Sequence, residues 1–341
     1  MSTPGLVSVP DLAALPLLAG LPAADLAQVA SFMTRLEVSP GTRVFVEGES
    51  GDRLCLVESG RLEATIRMPD GGERTLGHLE AGATAGEIAL LTGGRRTATV
   101  TALTPTRGWI IDGRAFQALR LDPRRGAIAL MRRLGMLALS RLRVRYEHVA
   151  AEIGGLPSTE PVAPGEPVPQ GALGLDYLCS LLCFVGFEQP SYVAEVLRGV
   201  PSRSVARGDL VLREGARPES LILVARGAIE VTVRHTTASR RMRLAGPGRL
   251  LGYSGMLDDG MSPVAARARE RTLMFEFPRD RVLELLEDPA PAARRLAAAV
   301  YEDIARAVRQ AERPMASTTV ASGRGGSRFR RGLPGLEHEP A

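Results

Sequence analysis

The chain has 341 residues, enough for two domains that each bury a core. Hydrophobic residues make up 45% and charged residues 24%, a balance that excludes disordered and fibrous classes for the bulk of the chain. The net charge of +5 is modest; histidines aside, every basic side chain is arginine, with no lysine and no asparagine, a bias that GC-rich coding explains without selection for arginine.

In chain order, Leu12–Ala24 is apolar, but no basic residue precedes it, Asp11 sits at its edge, and Pro16 and Pro22 interrupt it. It reads as a helical cap on the first domain rather than a signal peptide. Short alternating runs ended by glycine turns then predict strands near Arg43–Val46, Leu54–Val57, Arg61–Ile66, Arg74–Leu79, Ala98–Leu103 and Arg107–Ile111. Asp70-Gly71-Gly72 marks a turn between the third and fourth. Asp122 is the expected N-cap of a helix with Pro123 at its first helical position. Ile128, Met131, Ala138, Leu142, Tyr146 and Val149 follow at helical spacing; Leu130, Leu134 and Leu137 widen the face enough for burial on two sides.

The chain then repeats itself. Gly41, Gly48 and Gly60 recur as Gly208, Gly215 and Gly227, each 167 residues further on, and Asp122-Pro123 recurs as Asp288-Pro289. A period this long means a duplicated domain, not a solenoid. The organisation expected is a first domain over 12–151, a Pro/Gly linker over 152–172, a second domain over 173–313, and a disordered Arg/Gly-rich tail over 314–341. Six or more short strands per repeat with flanking helices predict an α+β, mainly β class: two β jelly-rolls, each flanked by helices. Cys55, Cys179 and Cys183 form no metal pattern, and their odd number fits a reducing cytosol. Cys179 and Cys183, four apart on a helix-like apolar stretch, read as buried thiols. No run approaches the ~20 apolar residues of a spanning helix, so no membrane partner is expected.

One segment carries chemistry: Gly86-Glu87-Ile88-Ala89-Leu90-Leu91-Thr92-Gly93-Gly94-Arg95-Arg96-Thr97-Ala98-Thr99-Val100. Arg96 offers a planar fork of donors to an anion, and Glu87, nine residues earlier, can accept from a sugar hydroxyl. The pair suits a ribose phosphate without any catalytic group. The ordinary alternative is a surface ion pair on a loop.

The segment resembles the phosphate-binding cassette of the cyclic-nucleotide-binding domain family, which includes catabolite-activator-type regulators, kinase regulatory subunits and nucleotide-gated channels. Gly86, Glu87, Ala89, Leu90, Arg96, Thr97, Ala98 and Val100 fit its pattern, while Ala85 is smaller than the hydrophobic residue usual there. The family's earlier glycine signature is matched by Val44 to Gly60. The resemblance implies a ligand site at Gly86, Glu87, Ile88, Ala89, Arg96, Thr97 and Ala98, with cAMP or cGMP as ligand and no metal. Arg96 then takes the ring phosphate, helped by the amides of Ala89 and Ala98. Gly86 permits close approach, and Glu87 accepts from the ribose 2′-hydroxyl. Thr97 beside base and phosphate does not choose between the two nucleotides. A Glu87–Arg96 ion pair is expected in the unliganded site, and a lid contact between Leu134 and Arg145.

The matching segment of the second repeat has lost this chemistry. Gly252 aligns with Gly86, but Tyr253 replaces the carboxylate and Ser262 the arginine. Asp258 and Asp259 add expected repulsion, and Arg267, Arg269 and Arg271 fall on the opposite strand face. The second domain is therefore expected to be degenerate, a docking or dimerisation module.

Other functions fit less well. The sequence holds neither a phosphate loop nor a Gly-x-Ser-x-Gly elbow, and its four histidines are scattered, with no acidic partner evident for His78 or His235, so an enzyme is not expected. No helix–turn–helix is expected after either domain. Arg324, Arg328, Arg330 and Arg331 around Phe329 leave a tail-mediated nucleic-acid contact as an alternative, the solvated tail being preferred. A non-binding scaffold of the same fold is the remaining alternative. The expectation is a cytoplasmic receptor that signals to a separate effector protein, with a homodimer through the long apolar helix as a further possibility.

Overall fold

Alternation along the strands builds two cores at once. In the computed structural model, which describes residues 12–68, 70–153, 159–169, 171–234 and 239–312, the third strand, Arg53–Ser59, is buried on both faces. Its Cys55 and Val57 enter a small core with Val44, Phe45, Leu62, Val100 and Ile110. Its Leu54 and Leu56 enter the main core beneath the helices. A period of two sends neighbours to opposite faces, which is why the run reads as continuously apolar.

The first repeat contains β1 (Thr34–Val38), β2 (Arg43–Phe45), β3 (Arg53–Ser59), β4 (Leu62–Arg67), β5 (Glu73–Leu79), β6 (Thr84–Ala85), β7 (Thr99–Ala102) and β8 (Thr106–Asp112). They form two four-stranded sheets, ordered β1-β8-β3-β6 and β2-β7-β4-β5. The second repeat matches it: β10 (Ser202–Val205), β11 (Leu210–Leu212), β12 (Ser220–Arg226), β13 (Ile229–Arg234), β14 (Ser239–Ala245), β15 (Leu250–Leu251), β16 (Ala265–Ala268) and β17 (Thr272–Pro278). Here β15-β12-β17-β10 gains one further edge strand, β9 (Glu166–Pro167), and the partner sheet runs β11-β16-β13-β14. All six expected strands of the first repeat are present. The two unforeseen ones lack a pattern: β1 has no fully buried residue, and β6 is two residues long.

Several local expectations need correction. Leu12–Ala24 is mostly turns, with Leu12, Leu15 and Leu18 buried, and the helix that follows covers Ala23–Ala30. Its two prolines break the ladder but not the apolar contact. Asp122 is not the N-cap of the long helix, which spans Arg125–Ile153. Asp122 instead closes the preceding helix, Gly113–Leu121, and its carboxylate accepts from the Arg124 amide at 2.8 Å. An aspartate three residues before the first helical position is too early to cap it and closes this local turn instead. The long helix runs into the expected linker, and Glu166–Pro167 within that linker pairs with β10. The helix containing Cys179 stops there, at Leu175–Cys179; Cys183 is buried beyond it and Cys179 half-buried. His78 does have an acidic neighbour, Glu63, at 3.6 Å across the β4–β5 pair. His235 and the Arg/Gly-rich tail lie outside the described residues.

The wide apolar face of the long helix is indeed used twice. One side lies on the first domain and the other on the C-terminal helix, Pro291–Glu312, which returns along it. Gly135 sets that approach, since a Cβ there would lie 2.0 Å from the Tyr301 ring. The face expected to mediate a homodimer is thus covered by the chain's own C-terminal helix. Within the second domain a short turn joins a pair of helices, Arg279–Glu287 and Pro291–Glu312. Its second helix is buried on most of its circumference, from Ala292 through Ala311, and has no face free for a DNA groove.

Candidate functional site

The first cassette is built around a glycine that nothing else can replace. Gly86 has φ +88°, left-handed, and begins the short helix Glu87–Thr92. A Cβ at Gly86 would lie 2.4 Å from Arg96 Nη1 and 2.7 Å from the Arg53 carbonyl oxygen. Arg96 follows the isolated Ser50–Arg95 bridge, and its amide donates to the Glu49 carbonyl at 2.8 Å. Its guanidinium is therefore delivered across the cassette by backbone pairing, not by chance rotamer choice.

Glu87 and Arg96 are 1% and 5% exposed, so neither faces bulk water. The Arg96 guanidinium lies over the Phe45 ring, 3.7 Å from its centroid, and Nη1 donates to the Gly86 carbonyl at 3.3 Å. Asp52 is 3.8 Å from Nη2, but it is largely exposed and screened. Burial depresses the Arg96 proton affinity, which the Asp52 charge partly restores. The expected Glu87–Arg96 pair does not form. Glu87 pairs instead with Arg141, which reaches over from the long helix and also donates to the Thr84 carbonyl at 2.9 Å. Burial raises the Glu87 carboxyl above its usual range despite Arg141. Glu87 Oε1 thus meets the Arg141 guanidinium, while Glu87 Oε2 and Arg96 Nη2 are buried without a hydrogen-bond partner.

The remaining cassette residues divide by role. The side chains of Ile88 and Leu90 point into the main core and anchor the helix, and Ala89 is buried beside them. Thr97 is exposed and Ala98 half-buried. Sequence reasoning missed Phe45 and Arg141 as members of the site. Arg141 does fall within the stretch 134–145 expected to supply a lid contact. The signal for Phe45 was its place on the strand facing the cassette.

The second cassette is filled. Its glycine, Gly252, keeps the left-handed turn (φ +86°), but the helix behind it is broken at Ser254 and Gly255. The cavity between Gly252, Tyr253, Ser262 and Arg243 measures about 10 Å³, room for about one water. Tyr253 and Ser262 are 3% and 2% exposed, and the Ser262 hydroxyl donates to the Val264 carbonyl at 2.8 Å. Tyr146 from the first domain's long helix enters this same space. The arginine that lines it is Arg243 of β14, paired with Asp303 at 3.3 Å; Arg267, Arg269 and Arg271 pair elsewhere, with Glu160, Glu230 and Glu166. Asp258 and Asp259 do not repel anything there: Arg143 clasps Asp258 at 2.7 and 2.8 Å, and Arg217 holds Asp259 at 2.6 Å.

The structure therefore holds two paired-sheet barrels, each with a Gly-led cassette and a covering helix. Among the described residues, no group of three or more His, Cys, Asp or Glu is placed to hold a metal ion, and no helix is long and apolar enough to cross a membrane. The chain belongs to the cyclic nucleotide-binding domain family, whose pattern it matches twice, over residues 35–122 and 202–288. It is 25% identical over 242 residues to the cAMP-dependent protein kinase regulatory subunit of Blastocladiella emersonii, covering 71% of this chain and 49% of that protein. It is 24% identical over 238 residues to the cGMP-dependent protein kinase egl-4 of Caenorhabditis briggsae, covering 69% of this chain and 25% of that protein. The chain thus spans between a quarter and a half of the length of these relatives. Among solved structures, the regulatory domain of Toxoplasma gondii PKA with cAMP aligns at 19% identity and TM-score 0.30, covering 80% of this chain and 88% of that one.

Proposed function

We propose that the first domain binds a 3′,5′-cyclic nucleotide, cAMP or cGMP, and that the chain acts as a receptor, not as an enzyme. The observation that carries this is a buried cassette with incomplete hydrogen bonding: Glu87 Oε2 and Arg96 Nη2 are buried without a hydrogen-bond partner, while Glu87 Oε1 is held by Arg141. A buried polar group without a partner is destabilising by about 1–3 kcal/mol, so two of them in one cassette point to a ligand that completes them. A cyclic nucleotide supplies one anion for Arg96 and one hydroxyl for Glu87. Gly86 lets the backbone approach, and Ala89 and Ala98 contribute amides beside it. Ile88 fixes the helix from below, and Thr97 sits exposed at the rim where base and phosphate meet.

The long helix is the element that feels the ligand. Within two turns it carries Arg141 on Glu87, Arg143 on Asp258, Arg145 on the Ala311 carbonyl and Tyr146 in the filled second pocket. A ribose hydroxyl that engages Glu87 weakens the hold of Arg141 and biases the position of this helix. The shift in equilibrium equals the ligand's differential affinity for the two arrangements. The second domain then serves as a fixed module moved by the first, and a separate effector protein reads the change. Calorimetric titration of the full chain with cAMP and with cGMP tests the reading: saturable binding to wild type that disappears in Arg96→Ala supports it, and no heat with either nucleotide returns the chain to the scaffold alternative.

A further inference from the structure

A second cavity, of about 460 Å³, lies between the domains and is lined by no residue of either cassette segment. Its floor is one face of the C-terminal helix, where Arg295, Ala299, Glu302, Asp303 and Arg306 recur at helical spacing. One wall is the first domain's helix, through Arg120 and Leu121; the other is the turn carrying Leu182 and Val185. The volume falls within the range of small-molecule sites, and the junction of domains is a usual place for one.

The charge in this cleft does not balance. Glu302 serves both Arg306 and Arg120, the latter at 3.9 Å. Asp303 serves both Arg249 and Arg243, each at 3.3 Å. Four guanidiniums share two carboxylates, and three of the four open into the cavity. Opposite them the lip is apolar and wet: Leu182 is 58% and Val185 67% exposed. Ala299 keeps the floor low between the two sets.

We propose that this cleft is a second ligand site, for a compact organic anion with an apolar body. The anionic group sits between Arg120, Arg249 and Arg306, and the apolar body covers Leu121, Leu182 and Val185. Such a ligand joins a helix of the first domain to the C-terminal helix, whose Arg309 touches Thr92 of the cassette helix at 3.3 Å. It is therefore placed to act on the first cassette without occupying it. The site does not depend on the nucleotide reading.

The test is fluorescence titration of the full chain with anilinonaphthalene sulfonate, an anion of this chemistry. One saturable site is expected, weakened by salt and retained in Arg96→Ala. Ala299→Phe fills the floor and abolishes it, while Val185→Glu places a like charge at the lip and weakens it by about tenfold or more. Circular dichroism and thermal melting confirm that each variant folds; where Ala299→Phe does not, Val185→Glu decides alone. Absence of saturable binding to wild type, or unchanged binding in the folded variants, overturns the proposal.

Discussion

Replacing Arg96 by alanine separates ligand binding from fold stability. The guanidinium is 5% exposed, stacked on Phe45 at 3.7 Å, and its Nη2 has no hydrogen-bond partner. Truncating one member of a buried, hydrogen-bonded charge pair costs about 2–5 kcal/mol of binding. At about 1.4 kcal/mol per decade, that weakens a cyclic nucleotide roughly thirty- to several-thousandfold. The unliganded protein behaves differently. Burial lowers the proton affinity of Arg96, so the fold holds this cation at a cost, and alanine removes the cost. It also removes the stacking on Phe45, about 0.5–2 kcal/mol in the other direction. The two oppose each other, and unliganded stability is expected to change by less than about 1 kcal/mol. Isothermal titration calorimetry with both nucleotides, alongside urea denaturation of the apo forms, measures the two effects. An Arg96→Ala variant that folds and binds within about threefold of wild type refutes the assignment of Arg96 to the phosphate.

Three further outcomes follow from the same geometry. Because burial raises the Glu87 carboxyl, its contribution to stability is greatest below the ordinary carboxylate range and declines as pH rises through the raised value. Glu87→Gln should therefore match or exceed wild-type stability at neutral pH, lose that advantage in acid, and bind nucleotide at least about tenfold more weakly; urea titrations across pH and calorimetry check both halves. Restoring the missing residues of the second cassette, Tyr253→Glu with Ser262→Arg, should add no second binding event, since the cavity is about 10 Å³ and Tyr146 occupies the space; a calorimetric stoichiometry of two would contradict this. Arg143→Ala should lower stability by about 1–3 kcal/mol by leaving Asp258 half-buried without its bidentate partner. For Asp258, burial acts to raise the carboxyl, but hydrogen bonds from Arg143 and the Gly255 amide outweigh it and hold it below the usual range. The stabilisation is thus present at neutral pH and lost as pH falls through the depressed value, and the difference between Arg143→Ala and wild type should shrink in acid denaturation.

Much of the candidate cassette's geometry was legible because it is local. The cassette residues lie within one short segment, and the left-handed glycine, the short helix and the returning arginine are set by near-neighbour backbone geometry. The degeneracy of the second site was legible for the same reason, as Tyr253 and Ser262 stand where the two charged residues would be. What fills that site was not. Tyr146 comes from more than a hundred residues upstream, and Arg243 from another strand. The partner of Glu87 was misjudged likewise: Arg96 is nearer in sequence, but Arg141 arrives on a helix packed by its opposite face. Asp122 failed at the smallest scale, since an aspartate can cap a helix or close an Asx turn and the sequence permits both.

The sequence by itself determined the repeat, the β character of each half, and which cassette retains an arginine and an acid. Those follow from alternation, glycine spacing and residue identity, all short-range properties. Only the tertiary structure decided that the long helix is clasped by the C-terminal helix, that Tyr146 of the long helix joins Tyr253 in lining the nearly closed second pocket, and that four arginines share two carboxylates at the domain junction. These depend on which apolar faces find each other, and burial energy is non-directional: a sequence states how much surface must be covered, not by what.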